Sequence, residues 1–200
     1  MALKKVKRKA VSNNPKSLLL YGAPKVGKTT ALSQLKDCLI IDTEGGANMI
    51  EGFIESVKNR GELINLLKEA QEGHEFKYVA IDTIDKIAVW AEKAVCEEEN
   101  VSAVQDLAFG KGFALVREKV LNTVQFLKEI FPHVILVGHR KWARLMADSD
   151  AIGYVFRDEE KNKLMVTFKS NEALEAGSRS PHLRGKEIEL KWNLIYKGDK

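Results

Sequence analysis

The chain has 200 residues, about one domain by the usual prior of ~100–200 residues per domain. Hydrophobic residues make up 44% and charged residues 30%, which excludes disordered, collagen-like and disulfide-scaffold classes. No apolar run approaches the ~20 residues of a membrane-spanning helix, and the two cysteines, Cys38 and Cys96, are too few for a disulfide framework or a cysteine-built zinc site. They read as buried thiols in a reducing compartment. The basic N-terminus is not followed by the apolar stretch of a secretory signal, so a cytoplasmic protein without a membrane partner is expected.

The formal net charge of +4 is unevenly placed. Residues 1–16 carry Lys4, Lys5, Lys7, Arg8, Lys9 and Lys16 and no acid; removing those six leaves 26 basic against 28 acidic residues, a net of −2. The expected organisation is therefore a flexible basic arm over 1–16 and one near-neutral domain over 17–200. Such an arm either holds nucleic acid by counterion release or serves as a solvated tail.

Along the domain, Ser17–Tyr21 (SLLLY) reads as a buried strand, followed by a glycine-rich turn and a helix opening at Thr29–Leu35. Cys38–Ile41 (CLII) predicts a second strand, and residues 50–72 a helix-rich stretch interrupted at Gly52 and Gly61. Tyr78–Ile81 (YVAI) predicts a third strand, Ile84–Glu99 a long helix and Phe113–Ile130 another, with Leu115, Val116, Val120, Val124 and Leu127 at helical spacing. Val134–Val137 (VILV) completes the set as a fourth strand. Short apolar strands alternating with helices predict an α/β fold, a mostly parallel sheet covered on both faces. In the last third, Ile152–Arg157 and Leu164–Lys169 flank the polar turn Asp158–Asn162 as a hairpin, and Glu187–Tyr196 alternates as a further strand. An antiparallel C-terminal extension of the sheet is expected.

The turn after the first strand reads Gly22-Ala23-Pro24-Lys25-Val26-Gly27-Lys28-Thr29 and fits G-x-x-x-x-G-K-[ST] in its required context, after a strand and before a helix. The two glycines let the backbone approach phosphates, successive N–H groups receive their charge, Lys28 reaches the β- and γ-phosphates, and Thr29 offers a hydroxyl to Mg²⁺. Thr30 is counted with this loop. Lys25 reads as an exposed basic residue that could still reach a phosphate or a neighbouring subunit. The apolar strand ending in Asp82 supplies the second half of the signature, a carboxylate for Mg²⁺, a role compatible with Asp82 or Thr83 capping the next helix.

Thr83 follows Asp82 where P-loop ATPases with an Asp-Glu pair carry the glutamate that orients water. Glu44, in the strand-end sequence Ile41-Asp42-Thr43-Glu44-Gly45-Gly46, is the candidate for that role, because strand ends converge on one edge of such a sheet. Asp42 reads as a structural strand-end residue. His139, after the fourth strand, is either a sensor of the γ-phosphate or a surface histidine of a basic loop. His74, His133 and His182 are scattered and suggest no metal site.

The set GAPKVGKTT, IDTEGG, YVAIDTID and VILVGHRK resembles the RecA-like ATPase core, and more narrowly the small phage-type RecA-like proteins, which have segments similar to FGKGF (Phe109–Phe113) and GSRSPHLRGK (Gly177–Lys186). Some of these act in single-strand annealing or recombination. The resemblance implies a RecA-like fold over residues 17–196 using ATP and Mg²⁺. It implies catalytic roles for Lys28, Glu44 and Asp82, with His139 where the family often has glutamine. It also implies rings or filaments with ATP at subunit boundaries. Arg179, Arg184 and Lys186 are candidates for a basic residue acting across such a boundary, or are solvated loop charges. Arg140, Lys141, Trp142 and Arg144 form a basic cluster whose tryptophan would either stack on single-stranded DNA or pack in the core. The implied function is a DNA-stimulated recombination or annealing ATPase, partnered by single-stranded DNA and a phage or host recombination or single-strand-binding protein. The alternative is a nucleotide-gated module that regulates a protein partner. A small-molecule kinase fits less well, since no arginine-rich lid is visible.

Overall fold

A computed structural model describes residues 12–139 and 142–198. Its sheet is built from β1 (Ser17–Tyr21), β2 (Cys38–Asp42), β3 (Phe53–Ser56), β4 (Tyr78–Asp82), β5 (His133–Gly138), β6 (Ala151–Asp158), β7 (Lys163–Thr167), β8 (Gly177–Ser178) and β9 (Glu187–Glu189). The order is β3-β2-β4-β5-β1-β6-β7-β9, with β8 pairing on β6. All pairings from β3 to β6 are parallel. The pairings of β7, β8 and β9 are antiparallel, so the expected mixed α/β sheet is present, with the hairpin's first strand joined to the parallel set.

Every residue of β1, β2 and β4 is buried, which explains why these strands read as continuous apolar runs. Alternate side chains leave on opposite faces. Leu19, Ile41, Val79, Ile81 and Leu136 face one core, shared with α2 (Arg60–Glu72), α3 (Ile84–Glu99) and α4 (Lys111–Ile130). Leu18, Leu20, Ile40, Ala80 and Ile135 face the other, closed by α1 (Lys28–Leu32), α6 (Trp192–Ile195) and the C-terminal strands. Each fully buried leucine or isoleucine contributes roughly 1.5–3 kcal/mol. The remaining helix, α5, spans Ala143–Asp148.

Two stretches differ from the sequence-based expectation. Residues 50–72 contain the edge strand β3 before the helix α2, and three of its four residues are exposed, so no apolar run marked it. Glu187–Tyr196 is a strand only to Glu189; Trp192, Ile195 and Tyr196 then bury at i, i+3 and i+4 as a short helix whose indole Nε1 donates to the Ala31 carbonyl at 2.6 Å. The helix after the glycine-rich turn is also shorter than expected, ending at Leu32.

Residues 1–11 of the basic arm lie outside the described residues. Its last residues are tied to the fold: Asn14 exchanges two 3.0 Å hydrogen bonds with the backbone of Lys197, and the Pro15 carbonyl lies 2.9 Å from His133 Nδ1. Cys38 is buried in β2, and Cys96 is half-buried on α3. Among the described residues no helix is long and apolar enough to cross a membrane.

Candidate functional site

The site lies at the C-terminal edge of the parallel strands, where the chain leaves β1, β2, β4 and β5. The glycine-rich turn runs from β1 to α1. Gly22 passes so close to β6 that a Cβ there would stand 2.3 Å from the Val155 carbonyl oxygen, and Gly27 turns the chain at φ 115°, a conformation that favours glycine. Ala23, Pro24, Lys25 and Thr30 are exposed, while Val26, Gly27 and Thr29 are half-buried. The Ala31 N–H makes the first helical bond, to the Gly27 carbonyl. The N–H groups of Lys28, Thr29 and Thr30 therefore belong to the orphan donors of a helix start.

Lys28 is 5% exposed, and its ammonium donates to the carbonyls of Gly22 and Ala23, each at 2.8 Å. The loop thus curls around its own lysine. Burial pulls this ammonium below the ordinary lysine value, and the nearby carboxylates of Asp82, Asp85 and Glu44 partly offset that pull. The Thr29 hydroxyl donates to Asp82 Oδ2 at 2.6 Å. Burial pushes the Asp82 carboxyl above the usual aspartate range, with Asp42 and Glu44 adding to the shift and Thr29 and Lys28 opposing it.

Glu44 is brought to the same place from β2. The Thr43 hydroxyl donates to the Thr83 carbonyl at 3.0 Å and accepts from the Thr83 N–H at 2.7 Å, which joins the loops after β2 and β4. The Thr83 hydroxyl then donates to Glu44 Oε1 at 3.0 Å, and Glu44 Oε2 lies 3.2 Å from His139 Nε2. On the other side of the imidazole, Nδ1 lies 3.5 Å from Lys28 Nζ. An ammonium can only donate, so Nδ1 carries the lone pair and Nε2 the proton given to Glu44. Asp42 is spent on the backbone, accepting the N–H groups of Glu44, Gly45, Gly46 and Ala47, as its structural reading expected.

The donor set suits a magnesium nucleotide. Thr29 and Asp82 present two hard oxygens at one point, and a cation that keeps several waters needs few protein ligands. Asp82, Asp85 and Glu44 surround a single ammonium, an excess of negative charge that a divalent cation would balance.

The structure brings Lys28, Thr29, Asp82, Glu44 and His139 together, and adds Thr83, which sequence reasoning missed, as the residue holding Glu44. It also missed Asp85, whose Oδ2 accepts the His139 N–H at 2.7 Å and whose Oδ1 accepts the Trp142 indole N–H at 3.0 Å. The spacing of Asp82 and Asp85 at a helix start was the available signal, and it reads identically to an ordinary helix-terminal acid. Trp142 is half-buried against the core, which favours its packed reading over a free stacking ring. Arg140, Lys141 and the Arg144 side chain lie outside the described residues. Arg179 is not near this site: its guanidinium reaches Asp150 Oδ1 at 3.4 Å and the Ala147 carbonyl at 3.2 Å, beside the start of β6 at the opposite edge of the sheet. Arg184 donates to the Ser178 and Arg179 carbonyls, and Lys186 is exposed. Three other histidines are bound to carbonyls elsewhere, His74 to Ile130, His133 to Pro15 and His182 to Ile195.

A family model described as an AAA domain matches residues 14–145, from the end of the arm into α5. The chain belongs to this AAA-domain family. That membership agrees with the phosphate loop, and it makes the chain a nucleotide-binding domain of ATPase type. The SPbeta prophage-derived uncharacterized protein YorG of Bacillus subtilis (strain 168) is 27% identical over 158 residues, covering 74% of this chain and 46% of that protein. The chain therefore spans less than half of this prophage-derived relative, and the relative's name gives no activity to compare.

Proposed function

We propose that this AAA-family domain is a Mg²⁺-dependent ATPase of RecA-like type that acts on single-stranded DNA in phage recombination or annealing. The observation that carries the chemistry is the line Lys28–His139–Glu44, in which one imidazole separates a phosphate-binding ammonium from a carboxylate. A γ-phosphoryl group held at Lys28 would have Glu44 across the imidazole from it, as the carboxylate for an attacking water. That water attacks phosphorus in line, Glu44 accepts its proton, and the bridging oxygen leaves on ADP. Lys28 stabilises the charge that develops on the transferred group, the kind of term usually worth 10²–10³ in rate, or about 3–4 kcal/mol. Thr29 and Asp82 would hold Mg²⁺, which would neutralise phosphate charge there.

The DNA part of the reading rests on charge and resemblance. Lys4, Lys5, Lys7, Arg8 and Lys9 concentrate positive charge ahead of a near-neutral domain. Arg179, on the far edge of the sheet, would have to leave Asp150 and the Ala147 carbonyl to reach a nucleotide, and that nucleotide would be one bound by another copy, as in a ring or filament. The test is ATP hydrolysis at fixed Mg²⁺ with and without single-stranded DNA across protein concentrations. DNA stimulation with steep concentration dependence is expected. Removing residues 1–11 should flatten the salt dependence of DNA binding, whose slope is about −0.7 per phosphate contact for single strands. An unchanged slope removes the arm from the interface.

A second reading is a nucleotide-gated module with little turnover that regulates a protein partner. The observation favouring it is that Glu44 is already held by both Thr83 and His139. Tight ATP binding without turnover, with or without DNA, would select this alternative.

A further inference from the structure

We propose that Asp85 is a positioning residue for ATP hydrolysis, setting the His139 ring between Lys28 and Glu44 and linking that ring to Trp142. This inference rests on the ATPase reading above. Asp85 sits in the first turn of α3, where an acid ordinarily faces solvent and its own helix start. Here it is 9% exposed, and its two oxygens cross to the chain that leaves β5. A buried carboxylate is tolerated when hydrogen bonds satisfy it, and bonds with one ionised partner are the strong ones. The 2.7 Å bond to the His139 N–H fixes that residue's backbone, and with it a ring that has a partner on each nitrogen.

The consequence follows from sharing one carboxylate. Oδ2 holds residue 139 and Oδ1 holds the side chain of residue 142, so the two ends of a three-residue step hang on one group of α3. A γ-phosphoryl group competes for the Lys28 protons that now face the Gly22 and Ala23 carbonyls and His139. Any shift it imposes on the imidazole is passed through the residue 139 backbone to Asp85, and from Asp85 to the indole. Trp142 packs against the same core as Ile84 and Ile87 of α3, so its N–H environment reports the position of the clasp.

The test uses the full chain, ¹⁵N-labelled at tryptophan, with Mg²⁺ and either ADP or a non-hydrolysable ATP analogue. Trp142→Phe identifies the Trp142 indole signal. Expected is a Trp142 N–H shift with the analogue but not with ADP. Asp85→Asn should move this signal upfield before nucleotide is added and abolish the response. It should lower kcat about tenfold or more, the effect of losing a bond to a charged group, with analogue affinity unchanged within about twofold. Trp142→Phe keeps the His139 bond and should lower kcat less than Asp85→Asn. If the wild-type signal ignores the analogue although calorimetry shows it bound, the link is refuted, whether or not Asp85→Asn folds. A variant whose affinity falls while kcat holds also overturns the assignment. Failure of the wild type to bind the analogue at all would instead remove the ATPase reading on which the inference stands.

Discussion

Replacing Gly22 by alanine tests the packing that shapes the phosphate loop. The backbone of Gly22 is not in the left-handed region, so alanine meets no conformational obstacle. The obstacle is contact: the new Cβ would stand 2.3 Å from the Val155 carbonyl oxygen and 3.2 Å from its carbon. Real Cβ atoms essentially never come within 3.0 Å of such a neighbour, so the backbones must separate by at least the difference, 0.7 Å. Neither can yield easily. Val155 lies in β6, which is paired with β1 on one side and β7 on the other, and the Gly22 N–H is bonded to the Gly138 carbonyl at 3.3 Å. Overpacking of this kind costs typically ~1–3 kcal/mol. For a chain of this size a loss of about 2 kcal/mol lowers Tm by roughly 4–8 °C. The same displacement moves the loop that curls around Lys28, so ATP affinity should fall as well. Gly46→Ala is the control, since nothing lies within 4 Å of its Cβ position, and its Tm should stay close to the wild type. Scanning calorimetry and ATP titration of both variants decide the matter. Equal melting temperatures and ATP affinities for Gly22→Ala, Gly46→Ala and the wild type would show that β1 and β6 do not approach as described.

Glu44→Gln should retain ATP binding and lose turnover by about 10²–10⁴-fold, the usual contribution of a positioned general base; unchanged single-turnover hydrolysis would move the base elsewhere. Asp82 is held above its ordinary value of 3.8 by burial, so the folded state keeps its proton longer than the unfolded chain does. Stability from this group is full below the unfolded value and is lost as pH rises through the folded one. Asp82→Asn should therefore gain Tm relative to the wild type as pH is raised from 3 to about 7, while Mg²⁺-dependent hydrolysis disappears; a Tm difference independent of pH would contradict the assigned shift. Burial pushes the Cys38 thiol up to about 12, so iodoacetamide at mildly alkaline pH should modify Cys96 first and Cys38 only on unfolding. Equal labelling rates in the native protein would place Cys38 nearer the surface.

The parts of the fold legible in the sequence were those with a single physical cause. β1, β2, β4 and β5 are covered on both faces, and nothing but an unbroken apolar run satisfies that position. β3 failed the same test because it is an edge strand with exposed Phe53, Glu55 and Ser56, so its identity depends on pairing with β2 rather than on its own composition. The α6 segment failed because Ile188, Leu190 and Trp192 satisfy strand alternation, while Trp192, Ile195 and Tyr196 satisfy helical spacing. At the site, the motif residues were legible because each has a fixed chemical task. Thr83 and Asp85 were not, since their tasks are to hold Glu44, His139 and Trp142, and those partners lie 39 to 57 residues away.

The strand order explains why such distant residues meet. β5 lies between β1, which carries the phosphate loop, and β4, which ends in Asp82. The residue that follows β5 is therefore delivered between Lys28 and the carboxylates, and His139 fills that place. Had β5 been an edge strand, the same sequence after it could not have touched both Lys28 and Glu44. The arrangement has a cost, because it buries Lys28, Asp82 and Asp85 near one another and leaves negative charge in excess. Asp85 offsets its share with the His139 N–H and the Trp142 indole, and Lys28 with two loop carbonyls. Asp82 rests on one hydroxyl, and burial pushes its carboxyl above the usual aspartate range. The least satisfied carboxylate thus sits beside the Thr29 hydroxyl, where a divalent cation would relieve it most.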